Sequence, residues 1–166
     1  VLSSVGISVP LDKGLQAQEI ESLLIRGKAD CIVFDDAYID IITDIKNKNT
    51  TVLTNYICMK KNGAGYTTMD EVIAIGKKEL YAGKKDVFNY DVDPKALSVI
   101  LFTSGTTSLA KAVMLSQDNI LSNIYSLDCM IAFSDNDVSL AFLPFHHTFG
   151  STGQLFFLHN GVCTTF

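Results

Sequence analysis

A cluster of hydroxyls around one glycine, Thr103-Ser104-Gly105-Thr106-Thr107-Ser108, follows the apolar run Leu97 to Phe102 directly, with Lys111 shortly after it. A strand ending at that point would deliver a turn rich in hydroxyl and backbone N–H donors, followed by a cation. Those groups suit phosphate, because several donors can converge on its oxygens and a lysine opposes the charge that develops on a pyrophosphate leaving group. Gly105 lets the backbone approach a ligand with no Cβ in the way. The spacing departs from the G-x-x-x-x-G-K-[ST] loop, since Ala110 precedes Lys111 and Ala112 follows it, which disfavours a generic P-loop kinase or GTPase. A polar loop that only caps the next helix is the alternative for the same residue types.

The second candidate is the pair His146-His147 within LPFHHTFG, Leu143 to Gly150. In an extended segment neighbouring side chains point to opposite faces, so at most one of the two would serve a given site. Zinc needs ligand spacing of the H-E-x-x-H or Cys/His kind, which His147 with the distant His159 and Cys163 does not offer. Asp35-Asp36 fits a helix cap better than a ribose-binding acid, and Asp135 with Asp137 fits a turn. Met114, Met130 and the Phe-rich stretch Phe145 to Phe157 read most simply as core, although a tunnel for an apolar ligand would use the same residue types.

Positioning these groups falls to short β-branched or aromatic runs that alternate with segments of helical spacing: GISVPL, LQAQEIESLLIRG, DCIVFD, DAYIDIITDIKNK and TTVLTNYI. That rhythm predicts parallel strands with helices packed on them. Leu15, Ile20, Leu23 and Leu24 line one face of the first helix. MKKNGAGY, 59–66, reads as an exposed loop, and a helix is expected from about Thr67 to Leu80 with Thr67 or Thr68 as its cap. Residues 81–94 read as a connector. Leu97 to Phe102 reads as a strand, and a helix capped by Ser116 is expected to reach about Phe133. VSLAFLPF, the apolar segment Gly150 to Leu158, and a turn entering a strand at GVCTTF complete the chain.

Of the 166 residues 48% are hydrophobic and only 19% charged, which argues against an intrinsically disordered chain. A net charge of −5, with lysines no more clustered than pairs, argues against nucleic acid as a partner. The four cysteines form no C-x-x-C pair, so reduced thiols are the expectation. No apolar run reaches the roughly 18 residues of a membrane span, and the chain reads as cytoplasmic. Its first residue, Val1, and its ending in GVCTTF suggest a piece of a longer protein.

LFTSGTTSLAKAVMLSQDNI, Leu101 to Ile120, resembles the AMP-binding signature of the adenylate-forming (AMP-dependent synthetase/ligase) superfamily, which includes acyl-CoA synthetases, luciferases and peptide-synthetase adenylation domains. The pattern T-S-G-T-T-G-x-P-K-G, followed by Ser-His or Ser-Gln and an Asn, is met at Thr103, Ser104, Gly105, Thr106, Thr107, Lys111, Ser116 and Asn119. Ser108, Ala110 and Ala112 replace its Gly, Pro and Gly, which makes the loop less permissive at positive φ. LPFHHTFG resembles the family's L-P-x-x-H landmark, and ISVPLDKGLQAQEIESLLIRGKADCIVF, Ile7 to Phe34, its upstream strand and helix. The TTSLAKAVMLSQ form is similar to that of long-chain acyl-CoA synthetases.

The resemblance implies an α/β fold, a mostly parallel sheet flanked by helices, with residues 1–166 forming part of the large N-terminal domain; the upstream start, the rest of that domain and the C-terminal lid lie outside it. It implies ATP with Mg2+, and CoA as co-substrate. A carboxylic acid, by this resemblance a fatty acid, would be converted to an acyl adenylate and then to acyl-CoA. Thr103, Ser104, Gly105, Thr106, Thr107, Ser108 and Lys111 would bind the nucleotide, with Lys111 and His147 catalytic and His147 closing the acyl pocket. Taken alone, the chain is expected to be inactive and prone to self-association, and its parent could meet a membrane surface through a hydrophobic substrate. A catalytically silent nucleotide-binding module and a phosphotransferase with an unrelated phosphate loop are the alternatives.

Overall fold

The computed structural model of the chain describes residues 6–60, 65–103, 110–134 and 136–165. Two compact units emerge: Leu15–Tyr90, and Val1–Gly14 together with Asp91–Phe166.

In the first unit, α1 (Ala17–Arg26), β1 (Cys31–Phe34), a 3-10 turn (Asp36–Tyr38), α2 (Ile39–Lys48), β2 (Asn55–Cys58), β3 (Thr67–Thr68) and α3 (Met69–Tyr81) follow in order. The strands form a parallel sheet in the order β1-β2-β3, with Cys31 opposite Asn55 and Cys58 opposite Thr68. The helical spacing read from the sequence gives α1 a buried face of Ile20, Leu23 and Leu24, and α2 one of Ile42 and Ile45. Ile42, Ile45 and Cys58 are the most deeply buried large side chains among the described residues. Asn49, left-handed at φ 54°, ends α2. Thr68 caps α3: Glu71 N–H donates to Thr68 Oγ1 at 3.3 Å while Thr68 N–H donates to Glu71 Oε2 at 2.7 Å. Asp35 caps the 3-10 turn by accepting from Ala37 N–H, in line with the cap expected for it.

The second unit contains β4 (Leu97–Thr103), β5 (Lys111–Ser116), α4 (Gln117–Asp128), β6 (Val138–Leu140), α5 (Thr148–His159) and β7 (Cys163–Thr165). β6 and β7 pair in parallel with α5 as their crossover, Val138 opposite Cys163. β4 and β5 are antiparallel, so the site loop belongs to a hairpin rather than to a strand-to-helix turn. The six-residue run KAVMLS is too short for its alternation to announce a strand; pairing along β4 supplies its backbone partners. Ser8 bridges Val99 in parallel, and this single bridge replaces the strand expected over GISVPL. Helix α4 stops at Asp128, short of the expected Phe133, and VSLAFLPF contributes only Val138–Leu140 as strand, Pro144 lying in the turn beyond it.

Most of the expected Met and Phe core is corrected by the burial pattern. Met114 and Met130 are exposed, the first on β5, whose paired neighbour is β4, and the second just past the end of α4. Phe156 is buried, packing edge-on against Phe133, whereas Phe145 and Phe149 are exposed.

Candidate active site

The phosphate-type cluster is split by the hairpin. Thr103 is the last residue of β4 and stands directly opposite Lys111, the first residue of β5. Directly opposed residues of an antiparallel pair project on one face, so a hydroxyl and an ammonium flank the mouth of the connecting loop together. Both residues are exposed. Ser104, Gly105, Thr106, Thr107 and Ser108 lie outside the described residues. Ala112, where the signature has glycine, sits in regular ladder register with Phe102, so a Cβ there meets no conformational demand. Ser116 and Asn119 form a reciprocal cap on α4: Asn119 N–H donates to Ser116 Oγ at 3.2 Å and Ser116 N–H to Asn119 Oδ1 at 3.0 Å. These last two signature residues therefore set where the helix after the hairpin begins.

His147 occupies the N-cap of α5, in the connection that leaves the carboxyl end of β6. In parallel α/β units ligands bind beyond the carboxyl ends of strands, where such connections cluster. Its backbone is held twice: His147 N–H donates to the Pro144 carbonyl at 3.2 Å, and its own carbonyl accepts from Ser151 N–H at 3.0 Å and Ser151 Oγ at 3.1 Å. Gly150 makes this turn possible, because a Cβ there would lie 2.3 Å from the Pro144 carbonyl oxygen.

The two histidines do not diverge. Residues 145–147 turn rather than extend, and the His146 and His147 rings lie 4.2 Å apart between centroids. His146 is the more engaged of the pair, its Nε2 lying 3.3 Å from Asp12 Oδ2. That nitrogen is buried and the approach lacks hydrogen-bond alignment, so it is a close polar contact. Asp12 was not anticipated from sequence as a site residue, although D-K-G is turn-forming; its other oxygen accepts from Gly14 N–H at 2.8 Å. Among the described residues no hydrogen bond or ion pair joins Lys111 to His147.

A cavity of about 140 Å³ lies beside the same turn, lined by residues including Val99, Leu101, Phe145, Thr148 and Leu155. Ligand pockets usually span about 300–1,000 Å³, so this cavity is too small to be a fatty-acyl site by itself.

The profile of the AMP-binding enzyme family matches residues 1–166. The chain belongs to that family. Among curated relatives, fatty acyl-CoA synthetase B of Dictyostelium discoideum is 32% identical over 108 residues, covering 65% of this chain and 16% of its own length. Among solved structures, ATP-bound MatB of Rhodopseudomonas palustris aligns with a TM-score of 0.70 at 26% identity, over 97% of this chain and 30% of that one. The N-terminal domain of FACL13 from Mycobacterium tuberculosis aligns with a TM-score of 0.72 at 18% identity, over 95% and 36%. The chain thus spans well under half the length of each, and its α/β architecture, with parallel strands and flanking helices, is the one these proteins share.

Among the described residues no three His, Cys, Asp or Glu side chains gather as a metal site, and no helix is long and apolar enough to cross a membrane.

Proposed function

We propose that this AMP-binding chain forms part of the N-terminal domain of an acid–thiol ligase and supplies its triphosphate loop and its acyl-side histidine. The observation that carries the reading is the register placing Lys111 opposite Thr103 at the mouth of the Ser/Thr/Gly loop. In the first half-reaction a carboxylate oxygen attacks the α-phosphorus of ATP. The bond to the bridging oxygen of the β-phosphate breaks, and pyrophosphate leaves with that electron pair. Loop hydroxyls and N–H groups, Thr103 through Ser108, receive the phosphate oxygens, and Lys111 opposes the charge growing on the leaving group. In the second half-reaction a thiol, that of CoA in this reading, attacks the acyl carbonyl; AMP departs and the thiol proton passes to solvent.

His147 projects from a turn at a helix start, where its backbone is doubly held, and would meet the acid rather than the triphosphate. The similarity to fatty acyl-CoA synthetase B supports a fatty acid as substrate.

ATP–pyrophosphate exchange in the intact protein, run with and without a panel of fatty acids, tests this reading. Exchange that depends on the acid is expected. Nucleotide binding without exchange would favour a silent binding module, a reading the Ser108 and Ala110 replacements keep in view. Transfer of the γ-phosphate to an acceptor would indicate a phosphotransferase.

A further inference from the structure

We infer that Asp12 is a positioning residue for His147, acting through the ring of His146. The inference rests on the reading of His147 as the acyl-side residue and adds to it a support that begins more than a hundred positions earlier in the chain.

The chain of restraint can be followed atom by atom. Gly14 N–H donates to Asp12 Oδ1 at 2.8 Å, which fixes the carboxylate in a local turn and leaves Oδ2 to face outward from it. His146 Nε2 lies 3.3 Å from that Oδ2. The His146 ring in turn packs at 4.2 Å against the ring of His147, with the planes inclined at 47°. Pro144 and Ser151 already hold the His147 backbone, so ring rotation is the remaining freedom, and the neighbouring imidazole limits it. A buried imidazole nitrogen with no aligned partner is costly, and Asp12 Oδ2 lies within reach of it. A neutral imidazole facing a carboxylate through Nε2 carries its proton there, which leaves Nδ1 as the acceptor.

Replacing Asp12 by asparagine reverses that preference. The asparagine oxygen is needed by Gly14 N–H, so its amide nitrogen turns toward His146 and favours a bare Nε2, with the proton on Nδ1. Long-range 1H–15N correlation spectra of the intact protein, labelled with 15N-histidine, read this directly: the Nε2–H tautomer of His146 is expected in the parent protein, the Nδ1–H tautomer in Asp12→Asn, and no strong bias in Asp12→Ala. The second readout is kinetic. Asp12→Ala and Asp12→Asn should lower kcat/KM for the carboxylic acid by about tenfold or more while KM for ATP stays unchanged, as misplacement of a reacting contact does. Asp12→Glu should recover part of the loss. An unchanged His146 tautomer in both variants overturns the contact. A changed tautomer with unaltered acid kinetics, where His147→Ala does impair them, overturns the positioning role. If His147→Ala leaves acid kinetics intact, the acyl-side reading itself fails, and the positioning role falls with it whatever the tautomer does.

Discussion

A methyl group added at Gly150 would meet the Pro144 carbonyl oxygen at 2.3 Å and its carbon at 2.9 Å, both backbone atoms. Neither can swing aside as a side-chain tip would. Gly150→Ala should therefore push the start of α5 away from the 143–147 turn, at about 1–3 kcal/mol of stability, the usual range for overpacking. Denaturant melts of the variant read that loss; an unchanged midpoint would show that the turn yields freely. His147→Ala removes a side chain without touching this packing. It should reduce acid-dependent turnover in the intact protein by about 10²-fold, within the range for a positioned catalytic group, and leave KM for ATP unaltered. Steady-state assays varying acid and ATP separately distinguish the two effects, and equal losses toward both substrates would count against an acyl-side role. At this scale the sequence was informative in uneven measure. Lys111 and His147 became candidates through residue type and motif, but the contact between Asp12 and His146 joins segments far apart in the chain, and no local pattern encodes it.

The elements are held at their ends by reciprocal caps, and these carry a pH dependence. Thr68 N–H and Thr68 Oγ1 both bond the Glu71 carboxylate, which holds it below the ordinary value of 4.5. Glu21 on α1 is likewise lowered, first by the Thr50 hydroxyl and then by Lys48. A carboxylate whose folded pKa is depressed contributes stability that is fully present above its unfolded pKa and disappears as pH falls through the folded one. Stability should accordingly decline as pH drops below about 4.5, and Glu71→Gln should flatten the part of that decline due to α3; identical acid titrations of the two proteins would contradict this. Thr68→Ala should cost about 1 kcal/mol at neutral pH, the usual worth of an N-cap, measurable by thermal melting. Ser116 was legible as a cap, and the α3 cap was narrowed to Thr67 or Thr68, of which Thr68 serves, because a cap needs only residues near in sequence. Strand β5 was not, since Lys111–Ser116 acquires its conformation from pairing with β4. Helix α5 was equally obscure: four of its large apolar side chains, Leu155 to Leu158, are consecutive and so mark no single helical face.

For the whole molecule, the α/β alternation was plain from the sequence, whereas the division into two units and the antiparallel hairpin needed long-range contacts to define them. Large apolar side chains stand open to solvent: Tyr81 is 91% exposed, Phe142 and Phe149 75%, and Phe88 72%. Single exposed residues are ordinary, but this many large ones favour association. Sedimentation of the isolated chain should show concentration-dependent self-association; a strict monomer at high concentration would contradict it. The same chain given Mg-ATP, fatty acids and CoA should not sustain acyl-CoA formation, because alignment of the attacking carboxylate accounts for many kcal/mol of such rate enhancements and this segment spans only 30% of ATP-bound MatB.

The proposed chemistry turns on the cation at the mouth of the hydroxyl loop. It is tested most directly by acid-dependent ATP–pyrophosphate exchange in the intact protein, comparing the parent sequence with Lys111→Ala and following thermal melting in parallel. Loss of a group that stabilises the developing charge should lower exchange by about 10²–10³-fold, roughly 3–4 kcal/mol, while the melting temperature stays where it was, since Lys111 is exposed at a strand end. Exchange at the parental rate in a correctly folded Lys111→Ala protein would contradict the assignment of this loop to the triphosphate.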